Sequence, residues 1–263
     1  MLRDVTIGQY YPAESVLHKL DPRVKLVFTI GYVISLFLVD DWIGYGIAAL
    51  ALALAVMISK VPFSYIVRGL KPIIWLILFT TLMNLFWTPG KAVWQWGLVK
   101  ITQEGLLKSV YMAIRLFLLI IGSSLMTLTT TPNQLTDGLE KLMKPLAKVK
   151  VPVHDIALMM SIALRFIPIL TEESDKIRKA QMARGAEFEK GNILKRANQL
   201  LSLLVPLFVS ASRRAMELAM AMESRCYHGG EGRTKMKPLH YKKMDYAAYM
   251  IGVFYLGIII WLA

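Results

Sequence analysis

The sequence predicts an all-α polytopic membrane protein, with about five transmembrane helices and a cytoplasmic or interfacial set of three further helices. Three observations carry this. A hydrophobic content of 56% and a mean hydropathy of +0.49 over 263 residues exceed what a soluble core requires. The apolar residues gather in runs near the length of a bilayer crossing. The 31 Lys+Arg against 18 Asp+Glu, net +13, are distributed one-sidedly along the chain. Disorder and collagen-like repeats are excluded by the same composition. A single cysteine, Cys226, excludes a disulfide framework, and four scattered His show no metal-ligand spacing.

Residues 1–20 carry Arg3, Asp4, Glu14 and Lys19 with no unbroken apolar core, so no cleavable signal peptide is expected. Asp21-Pro22 then reads as a helix N-cap followed by Pro at the first helical position, with Arg23 and Lys25 pinning the inner end of span one. Apolar runs at 24–39, 42–58, 72–87, 110–127 and 246–263 give five spans. Each is at the short end of the ~20 residues that cross a bilayer. They must be helices, because lipid offers backbone groups no other partner.

Basic residues set the orientation. Arg3, Lys19, Arg23 and Lys25 precede or open span one, and Lys60, Arg68 and Lys71 lie between spans two and three, whereas the first outer turn holds Asp40 and Asp41. Lys91, Lys100 and Lys108 are a weaker exception. Residues 131–244 hold 20 of the 31 basic and 11 of the 18 acidic residues, net +9, and read as cytoplasmic. Trp42, Trp87, Trp94, Trp96 and Trp261 then fall near the outer interface, where an indole keeps its ring in lipid and its N–H in water. The chain divides into transmembrane helices over 1–130, a cytoplasmic helical domain over 131–244 and a last span over 245–263, with the C-terminus outside.

Two further apolar stretches, 156–170 and 200–209, are short and interrupted by Arg165, Pro168 and Pro206. If both crossed, seven basic residues between them would lie outside, so they are placed at the inner face of the membrane. Thr131-Pro132-Asn133-Gln134 reads as a capping box that starts a helix. Leu135, Leu139, Leu142, Met143 and Leu146 form its apolar face, and Asp137, Lys141, Lys144 and Lys148 its polar one, as in a helix lying flat on a membrane. A second helix is predicted from about residue 155 to Arg184, with Gly185 as a left-handed C-cap. A third, from about Ile193 to Arg225, repeats the plan: apolar half, proline, charged half, terminal Arg, then Gly229-Gly230. Ala211, Ala215 and Ala219 on it form a small-residue stripe, read either as a helix-crossing surface or as ordinary alanine-rich helix.

Catalytic motifs are missing. No phosphate-binding G-x-x-x-x-G-K-[ST] occurs, the nearest Gly-Lys being Gly90-Lys91 before Ala92, and there is no G-x-S-x-G or H-E-x-x-H. Adjacent helical residues do not face each other, so in His154-Asp155 the aspartate reads as a helix cap rather than half of a catalytic pair. Arg115 inside span four reads as a charge snorkelling to the outer surface, and Asn84 as helix-to-helix glue. Nine of the 15 Met fall within 131–244; they suit either a surface that repacks against several partners or ordinary core filling.

The segment Ser15-Val16-Leu17-His18-Lys19-Leu20-Asp21-Pro22-Arg23-Val24-Lys25-Leu26 closely resembles the N-terminal signature of the T component of energy-coupling factor (ECF) transporters, vitamin and micronutrient importers related to ABC transporters. Ala183-Arg184-Gly185 and Ser224-Arg225-Cys226 stand where that family has two short Arg motifs, at the ends of its cytoplasmic coupling helices. The second triplet departs from Ala-Arg-Gly at both flanks, so Arg225 carries over more safely than Ser224 or Cys226. The resemblance implies a non-catalytic scaffold joining two ABC-type ATPases to a small hydrophobic substrate-binding S component, possibly one of several interchangeable ones. ATP and Mg would belong to the partners, with no cofactor or nucleic acid bound by this chain. It assigns ATPase coupling to Ala183, Arg184, Gly185, Ser224, Arg225 and Cys226, helix crossing to Ala211, Ala215 and Ala219, and S-component contact to Met159, Met160, Met216, Met220 and Met222. The competing class is a stand-alone secondary transporter or channel, which would need inverted repeats of spans and broken helices at mid-membrane.

Overall fold

A computed structural model of the chain describes residues 10–39, 41–70, 73–89, 92–96, 99–186, 193–229, 236 and 238–262. The readings placed on Arg3, Asp40, Lys71, Gly90-Lys91 and Gly230, and on the side chains of Arg68, Trp94 and Trp96, fall outside what is described. Two compact units emerge, the larger formed by Gly8–Lys141 with Leu239–Ala263 and the smaller containing Leu142–Pro238.

In the larger unit a short helix α1, Val16–Lys19, leads into α2, Pro22–Leu38, followed by α3, Trp42–Ser59, α4, Phe63–Leu70, and α5, Ile74–Trp87. As the sequence requires, Asp21 caps α2 by accepting the Arg23 N–H at 2.9 Å, with Pro22 in the first turn. A two-stranded antiparallel hairpin that the apolar pattern does not disclose, β1 (Ala92–Trp96) and β2 (Val99–Thr102), separates α5 from α6, Gln103–Thr129. Span four therefore begins earlier than residue 110: Thr102 caps the helix, accepting the Gly105 N–H and donating to the Thr88 carbonyl that ends α5. Then come α7, Pro132–Met143, and, near the end of the chain, α10, Lys243–Leu262. The capping box at α7 is present in both directions, Gln134 N–H to Thr131 Oγ1 at 3.3 Å and Thr131 N–H to Gln134 Oε1 at 3.2 Å.

Helix α6 is the hub, packing against α2, α3, α4 and α5, while α10 lies on α2. Leu36, Ala48, Leu52, Ile66, Leu118, Leu125 and Ile259 fill the space between them. Small residues set the closest approaches: a Cβ on Gly252 of α10 would fall inside the Phe28 ring of α2, and one on Gly138 of α7 would press on Pro22 and Leu26. So α7 meets α2 at Gly138, with Thr136 also buried, as well as being amphipathic. Outwards, Ile30, Ile34 and Phe37 of α2, Leu50 and Leu54 of α3, Trp75 and Phe79 of α5, and Ile251 and Phe254 of α10 are exposed. A continuous apolar exterior on helices whose backbone is internally satisfied is that of a multi-pass membrane protein. By length and composition α3, α6, α10 and also Val153–Ala183 are able to cross; Ile74–Trp87 is a shorter apolar helix.

Two polar expectations are corrected. Arg115 does not simply snorkel: its Nε donates to Tyr45 Oη at 2.8 Å and its Nη2 to the Val39 carbonyl at 3.0 Å, so the guanidinium holds the C-terminal end of α2 against α3 and α6. Asn84 donates to the Thr80 carbonyl of its own helix, not across to another.

The signature residues form one polar fastening. Asp245, only 1% exposed, accepts the Asp21 N–H through Oδ1 at 2.9 Å and the Lys242 N–H through Oδ2 at 2.7 Å, tying the starts of α2 and α10 together. Arg23 bonds Asp21, donates to the Leu239 carbonyl and stacks on Tyr241 at 4.3 Å. Lys25, buried, donates to the carbonyls of Thr129 (2.8 Å) and His18 (3.3 Å), placing a cation on the C-terminal end of α6. His18 Nε2 lies 3.0 Å from the Tyr11 carbonyl, which only accepts, so Nε2 carries the proton and Nδ1 accepts from Ser15 Oγ at 2.6 Å.

Burial first, and the charge of Lys25 second, hold His18 below its usual titration range. A depressed folded-state value means that unfolded chains take up the proton first on acidification, so stability is complete above the ordinary histidine range and falls as pH drops through it. Thermal unfolding in detergent should show that acid-side loss in the native chain and a flatter profile in His18→Gln. Asp245→Ala leaves the buried Asp21 N–H and the part-buried Lys242 N–H without their acceptor and should cost about 1–3 kcal/mol; a Tm within 1–2 °C of native, in the same assay, would contradict the fastening.

Candidate functional site

The smaller unit is built on two long helices, α8 (Val153–Ala183) and α9 (Ile193–Glu223), preceded by a 3-10 helix, Lys144–Val149. Helix α8 begins two residues before the expected start, so Asp155 is an acidic residue of the first turn rather than the N-cap, which is Pro152. Pro168 and Pro206 lie inside continuous helices. Gln181 Nε2 donates to the Ser202 carbonyl and Arg214 Nη2 to Glu173 Oε2 at 3.1 Å. As position rises along α9 its partner falls along α8, so the helices run antiparallel. The partly exposed Arg214–Glu173 pair contributes about 0–1 kcal/mol and mainly fixes register.

Both helices end in the same hydrogen-bonded cap. After α8, the Ala186 N–H reaches the Gln181 carbonyl and the Gly185 N–H the Met182 carbonyl, both at 3.0 Å, with Gly185 at φ +89°. After α9, the Tyr227 N–H reaches Met222 at 3.1 Å and the Cys226 N–H reaches Glu223 at 2.9 Å, with Cys226 at φ 56°. Each is a Schellman motif, and in each the arginine is the C-cap residue itself: Arg184 in one, Arg225 in the other. Ala183-Arg184-Gly185 and Ser224-Arg225-Cys226 are thus structural equivalents, with cysteine doing at the left-handed position what glycine does in its counterpart. Both arginines are exposed, and no described residue pairs with either. The antiparallel register puts the caps at opposite ends of the pair, roughly 35 Å apart along its axis at 1.5 Å per residue.

Ala211, Ala215 and Ala219, the last two exposed, line a cleft between the two helices. With Leu218 and Met222 they form one wall of this cleft, of about 310 Å³, whose other wall is Ile162, Phe166 and Leu170 of α8. The sequence reading missed that wall, although its i, i+4, i+8 spacing matches the alanines. Met216 and Met220 are 69% and 61% exposed and Met159 is also exposed, whereas Met160 and Met222 are half-buried. Met216 and Met220 continue an exposed stripe with Leu201, Val205, Phe208 and Val209 along one side of α9. The five methionines therefore divide into surface (Met159, Met216, Met220) and packing (Met160, Met222).

A family model described as the cobalt transport protein CbiQ matches residues 13–236. The energy-coupling factor transporter transmembrane protein EcfT of Clostridium kluyveri is 52% identical over 250 residues, 94% of this chain and 93% of its own length. The chain belongs to the energy-coupling factor transporter transmembrane family. The Ruminiclostridium cellulolyticum and Bacillus subtilis EcfT proteins are 52% and 48% identical, each covering 93% of this chain and 92% or 93% of the relative. As a member of this family the chain is a transmembrane component of a transporter, a class that is generally non-catalytic.

Cys226 holds φ 56° at the cost of a side chain in the left-handed region, of the order of 1 kcal/mol. Cys226→Gly should strengthen the α9 cap by about that amount and Gly185→Ala should weaken the α8 cap similarly. Amide exchange at residues 226–227 and 185–186, slower in the first variant and faster in the second, checks both.

Proposed function

We propose that the chain is the energy-coupling scaffold of an ATP-driven ECF-type importer, joining two cytosolic ABC-type ATPases to a membrane-embedded S component that carries a vitamin or micronutrient. The paired caps carry this reading. Two arginines in the same cap geometry, exposed and at opposite ends of one antiparallel pair, suit two equivalent receivers rather than one. Each guanidinium is permanently charged and planar, with a fork that meets a carboxylate in two parallel charge-assisted bonds.

In this mechanism the ATPases bind ATP and Mg themselves and approach each other; this chain binds neither. Each drags its helix end, and α8 and α9 shift against each other across the alanine-lined cleft, whose small side chains let one helix slide past the other without locked rotamers. Exposed Met159, Met216 and Met220 and the apolar stripe on α9 receive the S component, methionine's flexibility suiting a surface that meets several S components in turn. ATP drives this only as far as it favours one helix arrangement over the other. The N-terminus and the α7 to α9 region lie on the cytoplasmic side, with α8 and α9 at or below the inner face, and the C-terminus outside. The cobalt description of the matching family model fits the micronutrient class of cargo.

Arg184→Glu combined with Arg225→Glu should abolish ATP-driven uptake, each single change costing less. Native uptake by the double variant would remove both residues from the mechanism. Affinity capture from native membranes should bring down two ATPase chains and a small hydrophobic protein, and polar replacement of Met216 and Met220 should lose the small protein alone. A lone chain that moves solute in liposomes would instead establish a stand-alone transporter.

A further inference from the structure

The segment 144–150 has an exterior that its own packing does not explain. Its 3-10 helix, Lys144–Val149, is closed by Lys150 at φ 63°, whose N–H donates to the Ala147 carbonyl. Residues three apart eclipse in a 3-10 helix. Leu146 and Val149 therefore share one edge, Lys144 and Ala147 a second, and Pro145 and Lys148 the third, with Lys150 directly following at the cap. Every residue from Lys144 to Lys150 is exposed, Val149 at 77% and Leu146 at 46%. Lys144, Lys148 and Lys150 have no described hydrogen-bond or ion-pair partner, and no acidic residue occurs between Glu140 and Asp155.

An apolar edge between two cationic ones has a specific complement. The aliphatic side chains need a medium without water, while the ammonium groups at the ends of their stems need anions within a side chain's length of that medium. A bilayer leaflet containing anionic phospholipid supplies both at that spacing; an acidic protein surface supplies the charge, but not a fluid apolar layer beside it. Position agrees: Lys144 follows the end of span α6 at Thr129 by 15 residues, within the distance over which basic residues sense the membrane.

We propose that residues 144–150 form a foot that inserts Leu146 and Val149 into the cytoplasmic leaflet and selects anionic phospholipid headgroups through Lys144, Lys148 and Lys150. The proposal rests on the cytoplasmic placement given under the proposed function but not on the ATPases or the S component. Full-length chain carrying Val149→Cys in a Cys226→Ser background, labelled with an environment-sensitive fluorophore, is reconstituted in vesicles of phosphatidylcholine with and without phosphatidylglycerol. Emission should shift to that of an apolar environment with phosphatidylglycerol, revert in high salt, and stay unshifted when inorganic phosphate is added to pure phosphatidylcholine. Lys144→Gln/Lys148→Gln/Lys150→Gln should raise the phosphatidylglycerol fraction needed for half the shift roughly tenfold or more, while the triple Arg variant retains it, at about a fivefold effect per lysine. Water-like emission in every bilayer, a shift equal in both lipid mixtures, or a shift seen only when ATPase chains are added would overturn the proposal, the last by assigning the segment to a protein interface. An unchanged thermal midpoint of the Gln variant in detergent shows that it is folded and keeps this test separate from that of the scaffold.

Discussion

The Asp245 carboxylate, sealed among the starts of two helices, is the interaction on which the larger unit depends. It joins residues 224 positions apart, giving the Asp21 N–H and the Lys242 N–H one buried acceptor. Around it Arg23, Lys25 and His18 each close a different chain end: the approach to α10, the C-terminal end of α6, and the loop before α1. Hydrophobic burial contributes little to orienting helices in lipid, because the lipid is as apolar as their side chains. Polar groups at the helix ends, together with close contacts at Gly138 and Gly252, therefore specify which helices meet. The segment that resembles the family signature is, in this chain, an architectural fastening.

In the proposed coupling role the smaller unit meets a different problem, that of carrying a force over distance. A helix transmits motion only if its end is well defined, and an unsatisfied C-terminus frays within its last turn. Two Schellman caps prevent that, and they fix the backbone that bears each arginine while leaving the side chain exposed. The cleft along the pair leaves room for adjustment, so the ends are stiff where the middle is permissive.

Much of this was legible in the residues. The capping box at Thr131 and Gln134 and the Asp21-Pro22 start of α2 follow from side chains acting on backbone groups within a few positions, and the ends of α8 and α9 from backbone bonds equally local, which is why pattern reading reached them. Arg115 was misjudged because its partners, Tyr45 and the Val39 carbonyl, are about 70 positions away in the chain. The hairpin after α5 escaped notice because the alternation of Trp94-Gln95-Trp96 and Val99-Lys100-Ile101-Thr102 about Gly97 is far shorter than the apolar runs of span length that dominate the pattern, and Asn84 was assigned a partner on another helix when its own turn supplied a nearer one.

By itself the sequence determined the membrane class, the helical content, the family and the two arginine motifs, because apolar run length, charge asymmetry and capping chemistry are local quantities. Tertiary structure alone decided that Asp21, Lys25 and Asp245 are one cluster and that α8 and α9 run antiparallel with their caps at opposite ends. Those facts depend on which distant backbone groups are left unpaired once the helices meet, and that is settled only when all of them are in place.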